Sequence, residues 1–153
     1  MDEWYFAYGS NLCVDQMVRR TGPVRLGNDR PRVVQLPGYR LAFNMQSDGG
    51  QVFANIVRPG EGVVGVVYRC SPEALALLDE YESGYERQRV TVVDDRGAEL
   101  AALTYVAMPG NVVVARTPDA EYLQRVVGGA RQHGLPEAYI RSITAEALLR
   151  QPL

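Results

Sequence analysis

The sequence predicts an α+β fold, a mixed and mostly antiparallel barrel-like β-sheet surrounded by helices. Three observations carry that expectation. Short β-branched and aromatic runs recur between Pro/Gly breaks, helical patterning interrupts them once in the middle, and two helical segments close the chain. No internal repeat, low-complexity segment or linker divides it, so residues 1–153 read as one domain.

Trp4 to Tyr8 is an aromatic-rich run that reads as a buried strand, and it stops at Gly9-Ser10-Asn11, a small polar cluster suited to a tight turn. A helix is expected at once, with Ser10 or Asn11 as its cap, Leu12, Met17 and Val18 turned inward, and Arg19 and Arg20 near its negative end. Four strand-like runs follow: Arg32 to Leu36 continuing through Gly38 to Phe43, Val52 to Val57, Val63 to Cys70, and Arg87 to Val93. Between the last two lies a helix from Pro72 to Tyr81, with Ser71 as N-cap and proline at the first helical position. Asp94-Asp95-Arg96-Gly97 reads as a hairpin turn into a strand from Glu99 to Met108. Thr117-Pro118 opens a helix to about Gln132, stopped by Gly134, and Pro136 opens a final one to about Arg150.

Composition excludes several chemistries. All 16 basic side chains are arginine, so no lysine exists to form a Schiff base, act as a base or complete a P-loop. The net charge is -2, the pI is near 5.4 and the arginines are scattered, so no nucleic-acid partner is expected. No apolar stretch reaches membrane-spanning length and Met1-Asp2-Glu3-Trp4 lacks signal-peptide character, so the expectation is a cytoplasmic protein with no membrane contact. Nothing in the context of Cys13 and Cys70 demands a bridge. A homodimer is compatible with the sequence, but no apolar surface stripe requires one.

With one histidine and no H-x-x-x-H, C-x-x-C or EF-hand spacing, neither a metal nor a cofactor is expected. His133, just before Gly-Leu-Pro, is expected to be a partner of a helix C-terminal dipole rather than half of a nucleophilic pair. The nucleophile elbow G-x-S-x-G and the dinucleotide fingerprint G-x-G-x-x-G are both absent.

Two features remain. In Tyr5-Phe6-Ala7-Tyr8-Gly9-Ser10-Asn11-Leu12 a strand runs through a glycine turn to a helix start, where unpaired backbone N–H groups suit a carboxylate or a developing oxyanion. In Leu75-Ala76-Leu77-Leu78-Asp79-Glu80-Tyr81-Glu82 three carboxylates crowd the unfavourable end of a helix dipole. Glu82 lies four residues after Leu78 and Asp79 four after Leu75, so either could follow the apolar stripe inward, and periodicity alone does not separate them. A half-buried carboxylate there gains the raised pKa that a general base near neutral pH needs.

The opening Tyr5 to Leu12 segment resembles the signature loop of the γ-glutamylcyclotransferase family, in the superfamily that includes the AIG2-like proteins. The likeness continues through Gly65-Val66-Val67-Tyr68, Leu78-Asp79-Glu80-Tyr81-Glu82, Gly84-Tyr85 and Tyr105-Val106. It ends in the run Pro118, Tyr122, Gly129-Ala130-Arg131, His133-Gly134-Leu135-Pro136 and Tyr139. The resemblance implies a γ-glutamylcyclotransferase-like barrel that cleaves a γ-glutamyl amide without cofactor or metal. The substrate's own α-amine attacks its γ-carbonyl, releasing 5-oxoproline and a free amine or amino acid. It further implies Glu82 as the catalytic glutamate, Tyr5, Phe6, Ala7, Tyr8, Gly9 and Ser10 as the substrate loop, and Tyr122 as a substrate contact. Beside it, backbone donors around Gly9, Ser10 and Asn11 are expected to hold the α-carboxylate or the γ-carbonyl oxygen, and Tyr85 either joins Tyr122 in walling the glutamyl pocket or is a core aromatic. The leaving group could be an amino acid, an amine or a protected pathway intermediate. The glutathione-specific branch is disfavoured, because its loop usually reads Tyr-Gly-Ser-Leu where this chain has Tyr8-Gly9-Ser10-Asn11. The rival readings are a non-catalytic γ-glutamyl or acyl-amide binding module, and an amide hydrolase or acyltransferase on the same scaffold.

Overall fold

In chain order the elements are β1 (Glu3–Ala7), a single 3-10 turn (Ser10–Leu12), α1 (Val14–Thr21), β2 (Arg32–Leu36), β3 (Arg40–Gln46), β4 (Val52–Val57), β5 (Val63–Cys70), α2 (Pro72–Asp79), β6 (Tyr85–Val93), β7 (Glu99–Ala107), a second 3-10 turn (Pro109–Asn111), α3 (Ala120–Gln132) and α4 (Glu137–Leu148). The computed structural model describes residues 1–23 and 30–148. Five strands close into a barrel in the order β1-β5-β2-β6-β7, antiparallel except where β1 meets β7 in parallel at Tyr5 and Leu103. That one parallel seam removes both sheet edges and sets the end of β1 beside β7.

Phe6, Val63, Val66, Val67, Tyr68 and Val92 are buried along the barrel strands, and Met17, Leu75, Leu78, Val126, Ile140 and Ile143 bring the helices onto the same core. Residue 129 is glycine where α3 crosses the first 3-10 turn: a Cβ would sit 2.5 Å from the backbone of Leu12 and Cys13. Close helix docking on the turn after β1 therefore depends on that missing side chain. Cys13 and Cys70 form no disulfide. No helix among the described residues is long and apolar enough to cross a membrane.

The mixed barrel agrees with the fold expected from sequence, and several element boundaries differ. The run from Arg32 to Phe43 is two strands, because Gly38 turns at φ 82° and sends β3 into a separate hairpin with β4. Neither Ser10 nor Asn11 caps α1: both lie in the 3-10 turn, and the cap position falls on Cys13, which makes no side-chain cap bond. α1 is rotated so that Gln16 and Met17 are buried and Val18 is exposed. The α2 cap is as expected, with the Ser71 hydroxyl accepting from Ala74 N–H at 3.1 Å. α3 starts at Ala120 because the Thr117 hydroxyl donates across to the Ala147 carbonyl at 2.8 Å instead of capping it. The end expected for the final helix, near Arg150, lies outside the described residues.

Candidate active site

The first 3-10 turn, the end of α2 and the start of β6 meet at one end of the barrel, around a pocket of about 260 Å³. Tyr5, Tyr8, Gly9, Ser10, Asn11, Glu82, Tyr85 and Tyr122 all line it. Phe6 and Ala7 do not. Phe6 is fully buried and contributes its carbonyl to the Thr104 hydroxyl at 2.9 Å, so these two members of the expected loop belong to the barrel wall.

Glu82 reaches the pocket because α2 ends early. The backbone tightens into 3-10 winding, with N–H groups of Tyr81 and Glu82 donating to the carbonyls of Leu78 and Asp79 and Tyr85 donating to that of Glu82. Glu82 thus leaves the helix surface and turns inward, its side chain only 13% exposed. It is the one carboxylate among the described residues lining the pocket. Burial pushes its pKa up to about 7, against the pull of Arg20 and of the Asn11 hydrogen bond, while nearby Asp79 adds to the rise.

Asp79, the competing acid, faces the other way. It takes Arg87 in a two-pronged pair at 2.8 and 2.6 Å and also accepts from the Tyr105 hydroxyl. Partial burial pulls this carboxyl upward, but the Arg87 and Tyr105 bonds outweigh it and hold the group below the usual carboxylate range. Asp79 therefore orients Tyr105, a pocket wall, and is unsuited to take up a proton near neutral pH.

Asn11 is 3% exposed and sits between the two halves of the site. Its Nδ2 donates to the Tyr5 hydroxyl at 3.0 Å and to Glu82 Oε1 at 3.1 Å, while its Oδ1 accepts from Gln16 Nε2 at 3.0 Å and from Arg20 at 3.1 Å. The amides of Gly9, Ser10 and Asn11 precede Leu12, the first residue whose N–H is bonded within the turn, and so have no partner there. From behind, Tyr68 donates to the Asn11 carbonyl at 2.7 Å and His133 Nε2 lies 2.9 Å from the Leu12 carbonyl. A carbonyl only accepts, so that nitrogen carries the hydrogen. His133 stands at the C-cap of α3, where burial lowers its pKa and its bond to the Leu12 carbonyl clamps the turn.

Two tyrosines grip Ala54 in the opposite wall. Tyr85 donates to its carbonyl at 2.6 Å, and Tyr122 accepts from its N–H at 3.0 Å, which leaves the Tyr122 hydroxyl proton available to the pocket. Burial pushes both phenols well up, so both are neutral donors at physiological pH. Gln16, Arg20, Phe53, Ser83 and Arg125 also line the site, and the sequence does not single them out as functional. A usable signal existed for two of them: Gln16 and Arg20 are four apart on α1, hence on one helix face. Arg125 and Phe53 are brought in by tertiary packing alone. Among the described residues no cluster of His, Cys, Asp and Glu could hold a metal ion.

A closed mixed barrel with helices outside and one buried carboxylate in a tyrosine-lined pocket defines the class: a small α+β barrel protein with a carboxylate-bearing pocket. The profile of the AIG2-like family matches residues 62–143. The chain is 30% identical to γ-glutamylcyclotransferase of Homo sapiens and 28% identical to that of Bos taurus, each over 92% of this chain and 77% of the relative. A solved γ-glutamyl cyclotransferase superposes with a TM-score of 0.82 at 28% identity, covering 95% of this chain and 88% of that one. The chain belongs to this AIG2-like, γ-glutamylcyclotransferase family.

Proposed function

We propose that the protein is a γ-glutamylcyclotransferase, with Glu82 as its acid–base residue. The observation that carries the proposal is Glu82 itself, the pocket's lone carboxylate, buried and poised at about pH 7. Such a group is half ionised at neutral pH, so it can take a proton and return it. The described pocket lining holds serines but no histidine or cysteine to pair with them, which suits a reaction whose nucleophile comes with the substrate.

The α-ammonium of the γ-glutamyl group gives a proton to Glu82, and the freed amine attacks the γ-carbonyl carbon to close a five-membered ring. Glu82 then returns the proton to the amide nitrogen as the old C–N bond breaks, and the second proton shed by the ring nitrogen passes to the departing amine, releasing 5-oxoproline and an ammonium group. Loop amides at Gly9 to Asn11 and the Tyr122 hydroxyl are the donors available to the α-carboxylate and the developing oxyanion. Water need not enter and no cofactor is required.

Charge supports an amino acid as leaving group. The charged side chains lining the pocket are Arg20, Arg125 and Glu82, two cations and one acid. Arg20 faces Glu82 and Asn11, so Arg125 is the cation available to a substrate carboxylate; with the α-carboxylate on the loop amides, a γ-glutamyl amino acid brings a second carboxylate to it and a γ-glutamyl amine does not. Mass spectrometry of products from a panel of γ-glutamyl amino acids and amines tests the reading. We expect 5-oxoproline from the intact protein, and from Glu82→Gln at a rate lower by about 10²- to 10⁴-fold. Glutamate as product would instead mean hydrolysis, a new γ-glutamyl amide would mean transfer, and binding without turnover would mean a recognition module.

A further inference from the structure

We propose that Asn11 and Arg20 are positioning residues that hold Oε1 of Glu82, leaving Oε2 as the oxygen that exchanges protons with the substrate; this rests on Glu82 being the acid–base group. The geometry begins with a count of hydrogen-bonding valences. A primary amide has two N–H donors and two carbonyl lone pairs, and all four of Asn11's are used inside the protein, by Tyr5, Glu82, Gln16 and Arg20. Flipping the amide would set its NH2 against the Arg20 guanidinium, which only donates, and its oxygen against a carboxylate. The orientation is therefore fixed, and the Asn11 side chain has no valence left for a ligand. The Asn11 side chain thus belongs to the site as a link, while its backbone N–H stays among the loop donors.

The link is one-sided at Glu82. Oε1 takes the Asn11 Nδ2–H at 3.1 Å and lies 3.8 Å from Arg20, whereas Oε2 meets no hydrogen-bond donor among the described residues. Arg20 is itself held, its guanidinium stacked 4.7 Å from the centre of the Tyr81 ring. One guanidinium thus braces the Asn11 oxygen and faces the Glu82 carboxylate together, and α1 is tied to the end of α2 through both. The remaining titratable groups that act on Glu82 are Tyr5 from β1, Tyr8 just beyond it, Asp79 from α2, Tyr85 from β6 and Tyr122 from α3. Burial keeps the four phenols neutral, so Arg20 is the cation and Asp79 the second anion that set the field.

The test uses the full chain with Arg20→Gln, Arg20→Lys and Asn11→Asp, read in two ways. Carbon NMR of glutamate-labelled protein, assigned with Glu82→Gln, follows the Glu82 carboxyl without needing turnover. Steady-state kinetics on a γ-glutamyl amino acid give kcat and KM against pH. Arg20→Gln and Asn11→Asp should each raise the Glu82 midpoint by about one unit. At pH 7 that leaves about one-fifth of the ionised form, so kcat should fall roughly fivefold with KM nearly unchanged. Arg20→Lys should restore much of the midpoint shift. A raised KM with an unmoved midpoint would make these residues substrate contacts and overturn the proposal, as would lowered thermal stability alone. Asn11 is buried and its variant could misfold; Arg20 stands at the pocket rim and decides the matter by itself. If the unmodified protein turns over no γ-glutamyl amide, the functional reading fails, and the NMR titration still decides whether Asn11 and Arg20 hold Glu82.

Discussion

Asp79 and Glu82 leave the same acidic helix end in opposite directions, and their environments drive them to opposite protonation behaviour. Asp79 is pinned to Arg87 and held below the usual carboxylate range, while burial lifts Glu82 to about 7. Their substitutions should separate accordingly. Glu82→Gln should lower kcat by about 10²- to 10⁴-fold while ligand binding persists, the typical contribution of a general base. Asp79→Asn should cost mainly stability and the setting of Tyr105, with a much smaller loss of rate. Steady-state kinetics and ligand titration on both variants give the comparison, and a larger kcat loss in Asp79→Asn would reassign the base.

The same elevation makes a stability prediction with a definite sign. Folded Glu82 binds its proton more tightly than the unfolded chain, whose value is near 4.5, so this contribution is fully present below pH 4.5 and is lost as pH rises through about 7. Its size is on the order of 3 kcal/mol, from about 1.4 kcal/mol per pH unit. Relative to the unmodified protein, Glu82→Gln should therefore gain melting temperature between pH 5 and pH 8. Catalysis should run the other way, with kcat/KM climbing through pH 7 as Glu82 ionises. Calorimetry across that range is the check, and a pH-independent difference between the two proteins would mean that Glu82 titrates normally.

Much of the barrel was legible because strand periodicity and turn residues are local signals: β4 and β5 have the bounds that their β-branched runs predict. The Arg32 to Phe43 break was not, since the choice between two sheets is made by packing beyond Gly38. Crowding at Asp79 to Glu82 marked the segment that supplies the pocket's carboxylate, but a helical wheel could not say which acid faces the pocket. The choice depends on α2 ending at Asp79 and on Arg87 arriving from the neighbouring strand, both tertiary facts. Asn11 reads as a helix cap by residue type, and only its four partners show that it is a buried link instead.

Gly9 makes a steric prediction. A Cβ at this position would lie 3.3 Å from both the Ala54 Cβ and the Tyr122 hydroxyl, tighter than ordinary contact. The branched methyls of Gly9→Val would extend into the space around the Tyr122 oxygen. KM should rise and kcat fall together; because Gly9 sits at φ -113° and ψ -135°, outside the regions a β-branched residue favours, the melting temperature of the variant is measured beside its kinetics. Unchanged kinetics would show that the loop backbone does not approach the substrate.

Arg125 tests the leaving group. It stands three residues after Tyr122 on α3, lines the pocket, and its ion pair with Glu121 is a loose 3.7 Å contact to an 88% exposed partner, worth little in water. The guanidinium can therefore turn to a substrate carboxylate at small cost. Arg125→Glu should lower kcat/KM for γ-glutamyl amino acids by tenfold or more, about 1.4 kcal/mol, and should leave γ-glutamyl amines unaffected or improved. Competition between one substrate of each kind in a single reaction, read by mass spectrometry, measures the ratio directly. If both substrates fall equally, Arg125 has a general role in the pocket and the preference for a carboxylate-bearing leaving group is wrong.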